Sequence, residues 1–204
     1  MSDLLDQTTQ ADDAARESTP KRLAGFGLTA LGGLLVGVGA LLPWIRSSVR
    51  GLPDELSPTY YGIDLPDGQV VLAGAAVMLG GLAITRLAVS PRTRRIGAGV
   101  IVAAAFVTLV IAGVAAATAE SRFEPAAVDE MLAVLDPSGT ATAAQRSQIE
   151  GSAETRLAVG LSVTMTGALL GLAGGLVVLS WAVRGSVELD ADDHAPATTA
   201  DPEP

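Results

Sequence analysis

Four long apolar runs alternate with polar segments along this chain: Leu23 to Trp44, Gln69 to Ser90, Ile96 to Thr118 and Leu157 to Val183. A helix needs about 20 mostly apolar residues to cross the hydrocarbon of a bilayer, and soluble core helices rarely carry such runs free of charge. The pattern predicts an all-α integral membrane four-helix bundle with a small extracytoplasmic cap. The membrane domain covers 21–184, with outer loops at 45–68 and 119–156, and polar tails at 1–20 and 185–204 are expected to be disordered and cytoplasmic. A cleaved secretory signal is the rival reading of the first run. That run is too long for a signal core and ends in Leu-Leu-Pro-Trp rather than at a small-x-small site.

Within the runs the informative positions are the small ones, because apolar side chains gain little from meeting one another in lipid and close backbone approach must hold helices together. Gly167, Gly171 and Gly175 recur every four residues in the last run, prefigured by Gly160 and Thr164. Gly25, Thr29, Gly33 and Gly37 do the same in the first. Either such a face binds a partner helix or a second copy of the chain, or both faces close the bundle itself. Thr29, Thr108, Thr164 and Thr166 are suited to hydrogen bonding within or between helices. Trp44 and Trp181, at the ends of the first and last runs, fit the aromatic belts that anchor membrane helices.

The two outer loops carry any external recognition. In the first, Ile45, Ser47 and Val49 alternate with polar neighbours, and Tyr60, Tyr61, Ile63 and Leu65 are strand-prone. Both a short β-hairpin and an irregular loop fit this pattern. Tyr60 and Tyr61 are candidates for a binding surface or for simple interfacial seating. In the second loop Pro125 suits a first helical position, and Val128, Met131, Leu132 and Leu135 follow at i, i+3, i+4 and i+7 before Asp-Pro-Ser-Gly ends the pattern. That stripe must cover something: its own chain, the bilayer surface or a partner protein. Residues 140–156 read as a second helix running into the last span, bent at Gly151.

Charge sets an orientation. With the N-terminus inside, the inner side holds eight basic residues (Arg16, Lys21, Arg22, Arg86, Arg92, Arg94, Arg95, Arg184) against five outside (Arg46, Arg50, Arg122, Arg146, Arg156). By the positive-inside rule both termini are cytoplasmic. The link from Arg86 to Arg95 weighs most, and Arg86, Arg92, Arg94 and Arg95 are also expected to anchor the helix ends. A net charge of −9 opposes binding to a nucleic-acid backbone.

Chemistry is scarce. With no cysteine there is no disulfide and no thiolate nucleophile, and the one histidine, His194, lies in the C-terminal tail. Asp64 with Asp67, or Asp129 with Glu130, would need a cleft to become an acid–base pair. No phosphate loop is present, since Gly32-Gly33 and Gly80-Gly81 lie inside apolar runs. No span has an ionisable group at its middle, which argues against a proton relay or ion site. No catalytic residue, cofactor or metal ligand is assigned. The expected function is non-enzymatic: an accessory, scaffold or sensing protein engaging another envelope protein, or itself, through the acidic outer loop or a glycine face. A subunit of an oligomeric channel or transporter is the alternative, and an interfacial membrane enzyme a more remote one.

The basic pair Lys21-Arg22, the Gly/Leu-rich run ending Leu41-Leu42-Pro43-Trp44, the loop closing on Gly62-Ile63-Asp64 and Asp67-Gly68, the Arg-rich turn and the Gly-rich last run together carry a resemblance. Over 21–184 the chain resembles small four-helix membrane proteins of high-GC Gram-positive bacteria, and it is distantly similar to the tryptophan-associated transmembrane protein family. The resemblance implies a four-span bundle and no catalytic residue.

Overall fold

The computed structural model describes residues 23–49, 58–136, 139–140 and 142–192. The N-terminal tail expected at 1–20, residues 50–57 of the first outer loop and the chain beyond 192 lie outside the described residues. Four helices are long and apolar enough to cross a membrane: α1 (Leu23–Leu41), α2 (Pro66–Leu87), α3 (Pro91–Ala117) and, after two shorter helices, the Val159–Arg184 part of α6 (Val159–Asp192). At 1.5 Å per residue even the shortest, α1, is roughly 28 Å long, close to the hydrocarbon thickness of a bilayer. Between them lie β1 (Pro43–Val49), β2 (Thr59–Tyr61), a 3-10 turn at Gly62–Asp64, α4 (Ala119–Leu135), α5 (Ala143–Glu150) and β3 (Ala153–Leu157).

The helices run up, down, up, down. α1 touches α6 and α2, α2 packs on α3, and α3 packs on α6. Small and β-branched side chains fill the interior, including Val71, Ala75, Ala98, Ile101, Ala105, Thr108, Ala112 and Ala168, with Met78 the largest residue buried along α2. The outward faces are equally apolar: Val70, Val77 and Ile84 recur every seventh residue on α2, as do Leu169, Leu176 and Val183 on α6, and all are exposed. A helix apolar all round needs an apolar medium on its outside.

Each turn has a local cause. Pro66 starts α2, where its missing N–H has no intrahelical role, and Leu65 N–H donates to Gly62 O at 3.0 Å. Ser90 Oγ accepts from Thr93 N–H at 3.1 Å and Pro91 follows as the first residue of α3. The helix therefore starts five residues before the expected 96, so Arg92, Arg94 and Arg95 belong to its first five residues and not to a loose link.

The rest forms a cap at one end. The sheet has the order β2-β1-β3, all antiparallel, so the hairpin alternative for the first outer loop holds, with an irregularity between Pro43 and Ile45. β3 corrects the sequence reading, which ran 140–156 as one helix. α5 closes at Gly151, whose N–H donates to Ser147 O, and residues 153–157 then pair with β1 from Ile45↔Leu157 to Val49↔Ala153. The start of α4 is a second correction. Only Thr118 interrupts α3, and Arg122 N–H already donates to Thr118 O at 3.1 Å, so α4 begins at Ala119 and Pro125 lies inside it. The third concerns the first span, which ends at Leu41, because the chain turns into β1 and takes Trp44 with it. Finally, α6 continues as helix through 185–192, where the polar tail was expected.

Candidate recognition surface

Two helix faces, a cap and a basic end are the features that the sequence singled out. The α1–α6 contact is built on glycine. A methyl group placed on Gly167 would lie 2.7 Å from Val36 N and 2.8 Å from Gly32 O, and one on Gly174 would lie 2.6 Å from Thr29 N and 2.8 Å from Gly25 O. One on Gly160 would lie 2.6 Å from Pro43 O. Gly25 faces Val177 and Val178, and Gly39 faces Thr164 and the carbonyl of Gly160. The contacting rows are therefore Gly25, Thr29, Gly32, Val36, Gly39 on α1 and Gly160, Thr164, Gly167, Gly171, Gly174, Val178 on α6. Both advance by alternating steps of three and four, the spacing that keeps a seam between two helices facing its partner.

The every-fourth-residue rows split differently. Gly33 and Gly37 face α2: a methyl group placed on them would lie 3.0 Å from Leu79 and 3.8 Å from Ala75 respectively. Gly171 also faces the methyl end of Met78 across the bundle, and a methyl group placed on Gly175 would lie 3.0 and 3.1 Å from Ile101 and Val102 of α3. Thus Gly25, Thr29, Gly33, Gly37, Gly167, Gly171 and Gly175 all contact helices of their own chain.

Gly32, Gly39 and Gly174 escaped the sequence reading, although the seven-residue recurrences of Gly25, Gly32 and Gly39 and of Gly160, Gly167 and Gly174 would have exposed them. So did a reciprocal arrangement of buried threonines opposite glycines. Thr29 faces Gly174 and Thr164 faces Gly39 across α1–α6, while Thr85 faces Gly97 and Thr108 faces Gly74 across α2–α3. Thr29 and Thr85 hydroxyls donate to their own helices, at Gly25 O (2.9 Å) and Gly81 O (2.7 Å). Thr164 Oγ1 is buried with no partner among the described residues.

Trp44 is not an interfacial anchor. It is fully buried, its Nε1 donates to Gly39 O at 2.9 Å, and Gly62 lies so close that no side chain would fit there. Trp44 O accepts from Ala158 N at 2.7 Å, extending the β1–β3 ladder and tying β1 to the start of α6. Ile45, Tyr60, Leu65 and Phe123 join it in one cluster with Val36, Ala40 and Ala115, so cap and bundle share a core.

The stripe on α4 packs on this sheet. Val128 and Met131 are buried against their own chain, Leu132 is half-buried, and Leu135 with Val134 remains exposed. Tyr60 is half-buried, its ring 5.2 Å from that of Phe123, and its hydroxyl donates to Glu130 Oε2 at 3.1 Å. Burial first, then the bond and the charge of Glu130, push its phenol up to about 12. Tyr61, by contrast, is 43% exposed beside exposed Ile63. Arg122 joins Asp67 at 2.8 Å, and Arg146 bridges Asp129 and Glu150, so the cap carboxylates are spread among separate arginines. Among the described residues no three acidic or histidine side chains converge as a metal site would require.

At the opposite end Arg86 closes α2, while Arg92, Arg94 and Arg95 open α3. Arg94 Nε donates to Ala88 O at 2.9 Å and its guanidinium carbon stands 5.7 Å from the ring centroid of Trp181, on α6. Among the described residues none of these four arginines pairs with a carboxylate; in the cap Arg122, Arg146 and Arg156 do and Arg46 does not. No model of a known protein family matches the chain. No curated protein matches it significantly either.

Proposed function

We propose that this chain is a four-span protein of the plasma membrane, with both termini cytoplasmic, whose outer cap engages another envelope protein in an accessory, scaffold or sensing role rather than catalysing a reaction. The observation that carries this reading is the cap. It is prebuilt on the same core as the bundle and presents Tyr61, Ile63, Val134 and Leu135 on its surface, while Asp67, Asp129, Glu150 and Glu154 are held by arginines rather than gathered in a cleft. Rigid surfaces with exposed aromatic and aliphatic groups bind at low entropic cost. The glycine faces support it less, since α1, α2, α3 and α6 occupy them among themselves. The orientation is supported by the cluster of Arg86, Arg92, Arg94 and Arg95 at the end opposite the cap, since basic residues are retained on the cytoplasmic side.

Photo-reactive residues at Tyr61 and Leu135, with a third at buried Met131 as an internal control, test the role in native membranes. The same heterologous protein captured from both surface sites, and lost in Leu135→Asp, is the expected result. Only self-adducts from all three sites would refute it. Because the chain has no cysteine, single cysteines at Ser147 and Ser90 test orientation with a membrane-impermeant maleimide: intact cells should label the first and spare the second.

A further inference from the structure

We infer that the end of the bundle opposite the cap holds the phosphate of an anionic phospholipid headgroup between the α2–α3 turn and α6. This rests on the membrane reading above and assigns a ligand to a part of the chain that the cap does not use. Arg86, Arg92, Arg94 and Arg95 crowd one short stretch, and among the described residues no carboxylate neutralises them. Arg92 and Arg94 stand in the first turn of α3, where the helix dipole disfavours cations, so the stability of the helix does not account for them. An external anion would offset that cost, whichever side the orientation places them on.

Two observations select a lipid. The arginines interleave with exposed apolar side chains, Leu87 at 79%, Val89 at 93% and Ile96 at 59%, which marks the level where hydrocarbon meets headgroups. Arg94 is already oriented: Nε is engaged by Ala88 O and the guanidinium is held near Trp181, leaving its terminal nitrogens for a two-point phosphate contact.

Fluorescence of Trp181 in vesicles of the full chain reads this site, because Trp44, the other of the two tryptophans, is enclosed in the core at the far end. Brominated phosphatidylglycerol in a phosphatidylcholine background is compared with the reverse labelling. The anionic lipid should quench preferentially, and each arginine neutralised should reduce the preference about fivefold, in Arg94→Gln and, on exposed positions that leave folding alone, in Arg92→Gln/Arg95→Gln. Arg94→Lys should restore only part, since it keeps the charge without the fork. Equal quenching by both lipids, or an undiminished preference in the variants, overturns the inference. So does loss of the preference in excess inorganic phosphate, which would make a soluble anion the ligand, or a several-fold gain on truncation after 185, which would make the acidic tail the occupant. Quenching by neither lipid would instead refute the membrane reading itself.

Discussion

Replacing Gly167 by alanine tests the glycine seam. The added methyl would lie 2.7 Å from Val36 N and 2.8 Å from Gly32 O, where ordinary contact begins at 3.4 Å, so α1 and α6 must part by about 0.7 Å. Both atoms are helix backbone and neither can rotate away. Overpacking of this kind costs about 1–3 kcal/mol, against a gain of up to about 1 kcal/mol from the better helix former. A net loss of about 1–2 kcal/mol is expected. Gly171→Ala should be milder, because its methyl meets the flexible end of Met78. Gly113→Ala, with nothing within 4 Å, should be neutral or slightly stabilising. Reversible unfolding in mild detergent gives the order directly. If Gly167→Ala proved as stable as Gly113→Ala, the α1–α6 contact would not have this geometry.

Three further outcomes follow. Trp44→Ala should cost about 3–5 kcal/mol, as expected for a large buried aromatic, and loosen cap and bundle together, whereas Trp181→Ala, on a half-buried ring, should cost far less in the same unfolding assay. Thr164→Val should not destabilise and could gain about 1–3 kcal/mol by removing an unpartnered buried hydroxyl, while Thr29→Val, which loses its bond to Gly25 O, should destabilise. In Tyr61→Phe the remaining tyrosine, Tyr60, should titrate near pH 12 by phenolate absorbance. Because its folded value lies above the unfolded 10, its contribution to stability is complete below pH 10 and lost as pH rises toward 12. Titration of Tyr60 near 10 would show that Glu130 and burial do not hold it.

The sequence made the α2 helix legible within three residues at either end, because its long apolar run is bounded by Pro66 and by the turn before Pro91. It left β3 illegible. Ala-Glu-Thr-Arg-Leu is too short and too polar to declare itself, and it becomes a strand only because β1, about a hundred residues earlier, offers its open edge. The stripe at Val128, Met131, Leu132 and Leu135 was visible as a helix, but not that its first members would be covered by the chain's own sheet. Trp44 was misread for the same reason: an aromatic at the end of an apolar run looks interfacial until Gly62 and the Ala40 turn close over it.

Glycines show the division most clearly. Composition alone placed small residues on α1 and α6, but several rows of them satisfy a helical period, and which row becomes the seam depends on the crossing of the two helices. Apolar length, the position of prolines and the uneven distribution of arginine are one-dimensional quantities, so the sequence by itself determined the four long helices and the contrast between their two ends. Packing register, strand partners and the burial of Trp44 are joint properties of segments far apart in the chain, and only the tertiary structure decided them.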